Sequence, residues 1–295
     1  MDPMKLHREL MARLRDSWRG LADKPDETPE STLEALWVLA GLPARDGSAA
    51  TVDESSVARL RALLDRRLAG EPLSYLIGRQ TFMGIEFLSS PEAMIPRKES
   101  EILGYAALEV LKALVAEKGS ARVVDLCSGS GNMGLALATC VPACRIFGGD
   151  ISEEAVRLAE RNAQFLGLAD RASYRTGDFL ASFETEEFLG AVDLLTCNPP
   201  YISSARVETM AHEIVDFEPR AAFDGGPLGI KLLARLVKEA PRFVRPGGWV
   251  ACETGLGQGE SMSRMFQKSP DYQQVRNFND AEGHVRAIAA QVRVR

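Results

Sequence analysis

The sequence has little of what most catalytic chemistry is recognised by. Only three of its 295 residues are histidine, and His7, His212 and His284 are scattered, so it shows neither a zinc-ligand spacing nor a Ser-His-Asp arrangement. No metal is expected. The five cysteines, Cys127, Cys140, Cys144, Cys197 and Cys252, include no C-x-x-C pair, and an odd number fits reduced thiols better than a disulfide framework. Cys140 and Cys144 are close, but Pro142 interrupts any helix between them. Basic charge is also short: 35 Lys and Arg against 41 Asp and Glu give a net charge of −6. That withholds an overall basic footprint, so direct nucleic-acid binding is not expected, although a local groove is compatible with it. No apolar run approaches membrane-spanning length, so no membrane partner is expected. The opening Met1-Asp2-Pro3-Met4-Lys5 lacks the apolar core of a signal peptide, which makes a cytoplasmic location the expectation. Internal repeats and low-complexity tracts are missing as well.

What remains is an ordinary globular composition, 45% apolar and 26% charged, long enough for one large domain and a small one. Residues 1–75 read as helices. Leu6, Leu10, Met11, Leu14 and Leu21 fall near helical spacing between Met4 and Leu21. Thr28 before Pro29 is an N-cap followed by proline at the first helical position, and Gly41 with Pro43 ends that helix. Ala44 to Ala50 reads as a flexible connection. A third helix runs from Val57 to Leu68. Residues 76–100 form a bridge in which Phe82 to Phe87 predicts a β-hairpin. From Glu101 to the end, 101–295, strands alternate with helices, the pattern of a doubly wound parallel sheet. The predicted strands are Arg122–Cys127, Arg145–Asp150, Ala172–Thr176, Val192–Cys197 and Trp249–Glu253, with helices Glu153–Leu166 and Lys231–Phe243 between them.

Four residues stand out. Asn198-Pro199-Pro200-Tyr201 follow a buried-type strand, and two prolines force the backbone to leave the sheet in a stiff, extended turn. The turn is also an ordinary way to end a strand. It nevertheless sets an amide, free carbonyls and an aromatic ring at the carboxyl edge, where open α/β sheets bind ligands. An Asn amide both accepts and donates, so it can grip a planar –NH2 group whose nitrogen must react.

A second cluster lies earlier. Asp125-Leu126-Cys127-Ser128-Gly129-Ser130-Gly131 is a strand end and a glycine turn that bring backbone N–H groups close to a ligand. Gly129 to Gly134 also spells G-x-G-x-x-G, and Asp150 follows 150 − 129 = 21 residues later, which is dinucleotide spacing. S-adenosylmethionine is favoured over NAD. Asp125 sits where a NAD strand usually carries an apolar residue, and its carboxylate can hold the loop or reach the cofactor's ammonium. Asp150 is placed for ribose hydroxyls. Asp178 can accept from an adenine amine, and Phe179 can stack on the ring.

With these pieces in place, the chain resembles the HemK/PrmC family of release factor glutamine methyltransferases. The resemblance extends over roughly residues 30 to 290. It includes Gly70 to Gly78, Phe82-Met83-Gly84, Ile95 to Glu101, Glu218 to Gly226, Pro246 to Trp249, and Glu253-Thr254-Gly255 with Gln258. The family implies a Rossmann-like class I methyltransferase with a mostly parallel seven-stranded sheet, preceded by a small helical substrate-docking domain and a β-hairpin bridge. It implies methyl transfer from S-adenosyl-L-methionine to the side-chain amide nitrogen of a protein glutamine, in release factors the one in a Gly-Gly-Gln loop. Carried over residue by residue, Cys127 to Gly131, Asp150, Phe179 and Asn198 contact the cofactor, and Asn198 to Tyr201 the glutamine. Cys127 replaces a usual Gly, Asn132 a small or apolar residue, Lys98 a proline, Ser100 a threonine and Thr254 an aliphatic. These departures keep three alternatives in play: a paralogue acting on another protein's glutamine, an amino-directed nucleic-acid methyltransferase, and a non-catalytic binding module.

Overall fold

The computed structural model describes residues 2–18, 27–44 and 51–294. Leu21 and the linker residues 45–50 lie outside them. The chain divides into two compact units, Met1–Arg79 with Met210–Glu218, and Gln80–Thr209 with Pro219–Arg295.

The first unit is helical: α1 (Pro3–Ser17), α2 (Pro29–Leu39), α3 (Glu54–Leu68) and the short α4 (Leu73–Ile77). Asp2 caps α1 by accepting from the Met4 and Lys5 N–H groups at 2.7 and 3.1 Å. Thr28 caps α2 through the Ser31 N–H at 3.1 Å with Pro29 following, as the sequence predicts. Leu6, Leu10, Leu14, Leu33, Leu36, Leu60 and Leu64 meet in a fully buried core. His7 is half-buried, edge-on to Trp37 with ring centroids 6.0 Å apart, whereas His212 and His284 lie on the surface.

Arg67 is the exception in that core. It is wholly buried on α3, and its guanidinium donates to Glu27 at 2.7 and 2.9 Å and to Glu213 at 3.2 Å. One guanidinium therefore serves two buried carboxylates from segments far apart in the sequence.

The second unit opens with the hairpin β1 (Arg79–Phe82) and β2 (Ile85–Leu88). Its turn, Met83-Gly84, has φ of 50° and 74°, the positive pair that a two-residue hairpin with right-handed twist needs. Helix α5 (Glu101–Lys118) leads into β3 (Ala121–Leu126), α6 (Asn132–Cys140), β4 (Cys144–Asp150), α7 (Glu153–Phe165), β5 (Ala172–Thr176) and β6 (Val192–Cys197). After the one-turn helices α8 (Ser204–Val207) and α9 (His212–Val215, in the first unit), the chain continues through α10 (Lys231–Glu239), β7 (Val244–Glu253), α11 (Gly259–Lys268), β8 (Tyr272–Asn279) and β9 (Val285–Val292). Pro241 ends α10 early, and residues Ala240–Arg242 tighten into a 3₁₀ turn.

The sheet order is β5-β4-β3-β6-β7-β9-β8. The first five strands are parallel, and β9 pairs antiparallel with both β7 and β8. This is a class I methyltransferase fold. The order reverses between β3 and β6, which opens a crevice at their carboxyl ends. At the opposite end of β6, buried Asp193 accepts from Arg245 Nε at 2.6 Å and the Arg122 N–H at 2.8 Å, and pairs with Lys118. Those partners hold its carboxyl below the usual range despite burial.

Removing Arg67 strands two carboxylates in an apolar core. Arg67→Ala is expected to cost about 3–5 kcal/mol in urea denaturation of the full chain, whereas a loss under about 1 kcal/mol contradicts this account of the helical unit.

Candidate active site

The crevice holds a cleft of about 1070 Å³, part of it open to solvent. Asp125, Cys127, Ser128, Gly129, Asp150, Asp178, Phe179, Asn198 and Pro200 line it; Ser130, Gly131, Pro199 and Tyr201 do not.

The turn after β3 is shaped by left-handed backbone. Cys127, Gly129 and Gly131 have φ of 54°, 53° and 78°. A side chain at Gly131 would also strike the Tyr174 hydroxyl at 2.7 Å, so glycine is required there on both counts. Gly131 starts α6, and Ser130 supports the turn from behind, its carbonyl accepting from Asn162 at 2.9 Å. The buried Ser128 hydroxyl has no hydrogen-bond partner among the described residues.

Asp125 is a fastener rather than a surface acid. Its carboxyl is 1% exposed and accepts from Thr196 Oγ1 at 2.8 Å and the Gly134 N–H at 3.0 Å, tying β3 to β6 and α6. Burial pushes it up to about 7, against those two hydrogen bonds and with the Asp150 charge adding to the rise. Asp150, at the end of β4, accepts from the Gly129 N–H at 2.9 Å and the Ser152 N–H at 3.0 Å. Each oxygen therefore keeps a lone pair for a ligand. Burial raises this carboxyl too.

Asp178 lines the cleft beside Phe179. Its carboxylate is mostly exposed and paired with Arg235 at 3.1 and 3.3 Å. The same guanidinium lies 5.0 Å over the ring of Phe179, which is buried with φ of 54°. The sequence carries no signal for Arg235.

On the other side of the crevice, Asn198 Nδ2 donates to Ser100 Oγ at 3.1 Å. That use of the amide nitrogen leaves Oδ1 as an acceptor. The Tyr201 hydroxyl does not face the cleft; it donates to Glu253 Oε1 at 2.7 Å, and its carbonyl accepts from Gln258 Nε2 at 2.9 Å. Residues 219–229 lie along this turn: the Ile202 N–H donates to Phe223 O at 3.0 Å and the Gly225 N–H to Ile202 O at 2.8 Å. A Cβ at Gly229 would come within 2.1 Å of Tyr201 O, which requires glycine for this close approach. Pro219, Ala221 and Ala222 thereby reach the cleft, as do Met94, Pro96 and Arg97 from the segment before α5. Both segments carry the family resemblance, yet nothing in their residue types marks them as a site.

A protein from Geobacter sulfurreducens named release factor glutamine methyltransferase is 34% identical over 264 residues, 87% of this chain and 88% of its own length. One of the same name from Moorella thermoacetica is 34% identical over 285 residues, 95% and 98% of the two chains. This chain belongs to the release factor glutamine methyltransferase family. Two family profiles agree with that placement: the methyltransferase small domain matches residues 105–231, and the PrmC N-terminal domain matches residues 47–78. The methyl donor of this family is S-adenosylmethionine, and the chemistry of the cleft fits it. The orphaned Ser128 hydroxyl, the free lone pairs of Asp150 and the Phe179 ring supply polar and apolar surface for a nucleoside carrying a charged tail.

Cys127 occupies a left-handed position, which glycine adopts without strain. A β-branched residue tolerates φ near 54° poorly, so Cys127→Val is expected to cost roughly 1–3 kcal/mol, while Cys127→Gly stays within about 1 kcal/mol of wild type. Chemical denaturation of both variants checks this; equal losses would show that the turn is not strained at Cys127.

Proposed function

We propose that the protein methylates the side-chain amide nitrogen of the glutamine in the Gly-Gly-Gln loop of a peptide chain release factor. The observation that carries the reading is the Asn198–Ser100 hydrogen bond, which leaves the Asn198 oxygen to accept from an amide beside the donor cleft. An amide nitrogen is a poor nucleophile because its lone pair is delocalised into the carbonyl. Asn198 Oδ1 takes one of its hydrogens, and the Pro199 carbonyl, between the two lining residues Asn198 and Pro200, takes the other, which turns the lone pair toward the cleft. The stiff Pro199-Pro200 turn keeps both acceptors at fixed separation.

S-adenosylmethionine, when bound, supplies an electrophilic methyl whose C–S bonding electrons stay on the departing sulfur. The acceptor nitrogen forms the new C–N bond and gives one of its protons to solvent. Asp150 would hold ribose hydroxyls on its two free lone pairs, and Cys127 to Gly131 would bring backbone close to the methionine tail. Phe179 would pack on the base, and Asp178, paired with Arg235, would accept from its amine. Rate enhancement comes from positioning and exclusion of water, with no nucleophilic side chain required. Residues 1–75 dock the protein substrate, residues 76–100 bridge, and residues 101–295 carry out transfer in the cytoplasm. The match of residues 47–78 to the PrmC N-terminal domain supports reading the helical unit as that family's N-terminal domain.

Incubation with methyl-labelled S-adenosylmethionine and a release factor is expected to label the Gly-Gly-Gln glutamine and nothing else. Exchanging that glutamine for alanine abolishes the label. Asn198→Ala lowers kcat by about 10²-fold or more while the protein stays folded and still binds the donor in calorimetry. Near wild-type turnover in this variant would remove the proposed mechanism.

A further inference from the structure

One arginine stands behind the base end of the cleft without lining it. Arg235 lies on α10, three positions after Leu232, which does line the cleft, so the two are neighbours on the helix surface. Its guanidinium is committed on three sides. Nη1 donates to both Asp178 oxygens at 3.1 and 3.3 Å, and Nε donates to Glu239 Oε1 at 3.1 Å. The central carbon of the guanidinium lies 5.0 Å over the Phe179 ring. Exposed ion pairs contribute little to stability, and with Asp178 largely exposed this pair belongs to that class. What sets it apart is that the same guanidinium also covers a buried ring that lines the cleft.

The turn that carries Asp178 and Phe179 needs holding. Phe179 has φ of 54°, a left-handed conformation that costs a bulky residue energy and persists only where the surroundings over-determine it. The backbone is fixed at two points: the Gly177 N–H donates to Asp150 O at 2.9 Å, and Ser182 Oγ donates to Phe179 O at 3.1 Å. Neither contact directs the Asp178 carboxylate. Among the described residues, Arg235 is its hydrogen-bond partner. A carboxylate accepts at about four sites, and the two contacts from Nη1 use one on each oxygen. Each oxygen therefore keeps a lone pair for a ligand. One guanidinium thus fixes two successive side chains, an acceptor and a ring.

We propose that Arg235 is the positioning residue of the base site, aiming the Asp178 carboxylate at the exocyclic amine of the donor's adenine. It thereby sets the preference for a purine that carries this amine. Glu239, one turn further along α10, anchors the guanidinium from its other edge. The proposal rests on the reading that the base lies against Asp178 and Phe179; it does not depend on which protein is methylated. In Arg235→Gln the carboxylate loses its charged partner and is free to turn toward water.

The test is calorimetry of the full chain with two ligands. One is S-adenosylhomocysteine; the other is its 6-deamino analogue, in which hydrogen replaces the adenine amine. Wild type is expected to bind the first about tenfold or more tightly, which is the worth of one hydrogen bond to a charged acceptor. In Arg235→Gln and in Asp178→Ala the ratio falls to about threefold or less, and the double variant loses no more than either alone. A wild-type ratio in folded Arg235→Gln overturns the proposal even where both ligands bind more weakly, since a purely structural role gives that result. If Asp178→Ala has meanwhile lost the preference, the base reading stands and the role of Arg235 alone fails. A wild-type ratio in Asp178→Ala overturns both, whether or not Arg235→Gln folds, as does a wild type that does not distinguish the two ligands.

Discussion

Parallel pairing in the middle of the sheet fixes the geometry on which everything else depends. Leu126 pairs with Cys197 and Cys197 with Cys252 across β3, β6 and β7. The next residue of each strand is therefore forced to the same edge: Cys127 opens the glycine turn, Asn198 opens the proline turn, and Glu253 ends β7. A slip of one residue in either pairing would turn these side chains to the opposite faces of the sheet and separate donor cleft from amide clamp. Because the strand order reverses between β3 and β6, no helix crosses between them on the carboxyl side.

The edge is expensive to build. Asp125, Asp150 and Glu253 are all buried carboxyls that desolvation raises, and each is retained through specific hydrogen bonds. Asp125 is held by Thr196 and Gly134, Asp150 by two backbone N–H groups, and Glu253 by Tyr201. Such groups are poor sources of stability. They do define the backbone around them, and a methyl transfer that relies on positioning needs that definition more than it needs acid or base strength.

Much of this was legible in the residues. Largely apolar strands, such as Val192–Cys197, mark a sheet covered on both faces, and the stiff exit at Asn198 declares itself through its prolines. Other parts were not. β8, Tyr-Gln-Gln-Val-Arg-Asn-Phe-Asn, is a polar edge strand, and β9 is rich in alanine, so neither shows clear β patterning; only the resemblance implied seven strands. β7 begins at Val244 rather than Trp249 because a register shift absorbs Pro246-Gly247-Gly248. Arg67 with Glu27 and Glu213, Arg235 with Asp178, and Ser100 with Asn198 are pairings between segments distant in sequence, which local pattern does not encode. The direction of the Tyr201 hydroxyl, away from the cleft, belongs to the same class.

The central claim is that one protein glutamine receives the methyl group. Mass spectrometry of the release factor Gly-Gly-Gln peptide, isolated from cells with and without this protein, tests it most directly. The account predicts that the glutamine carries the mass of one added methyl only when the protein is present. An unmodified glutamine in both, or the same modification in both, would contradict it.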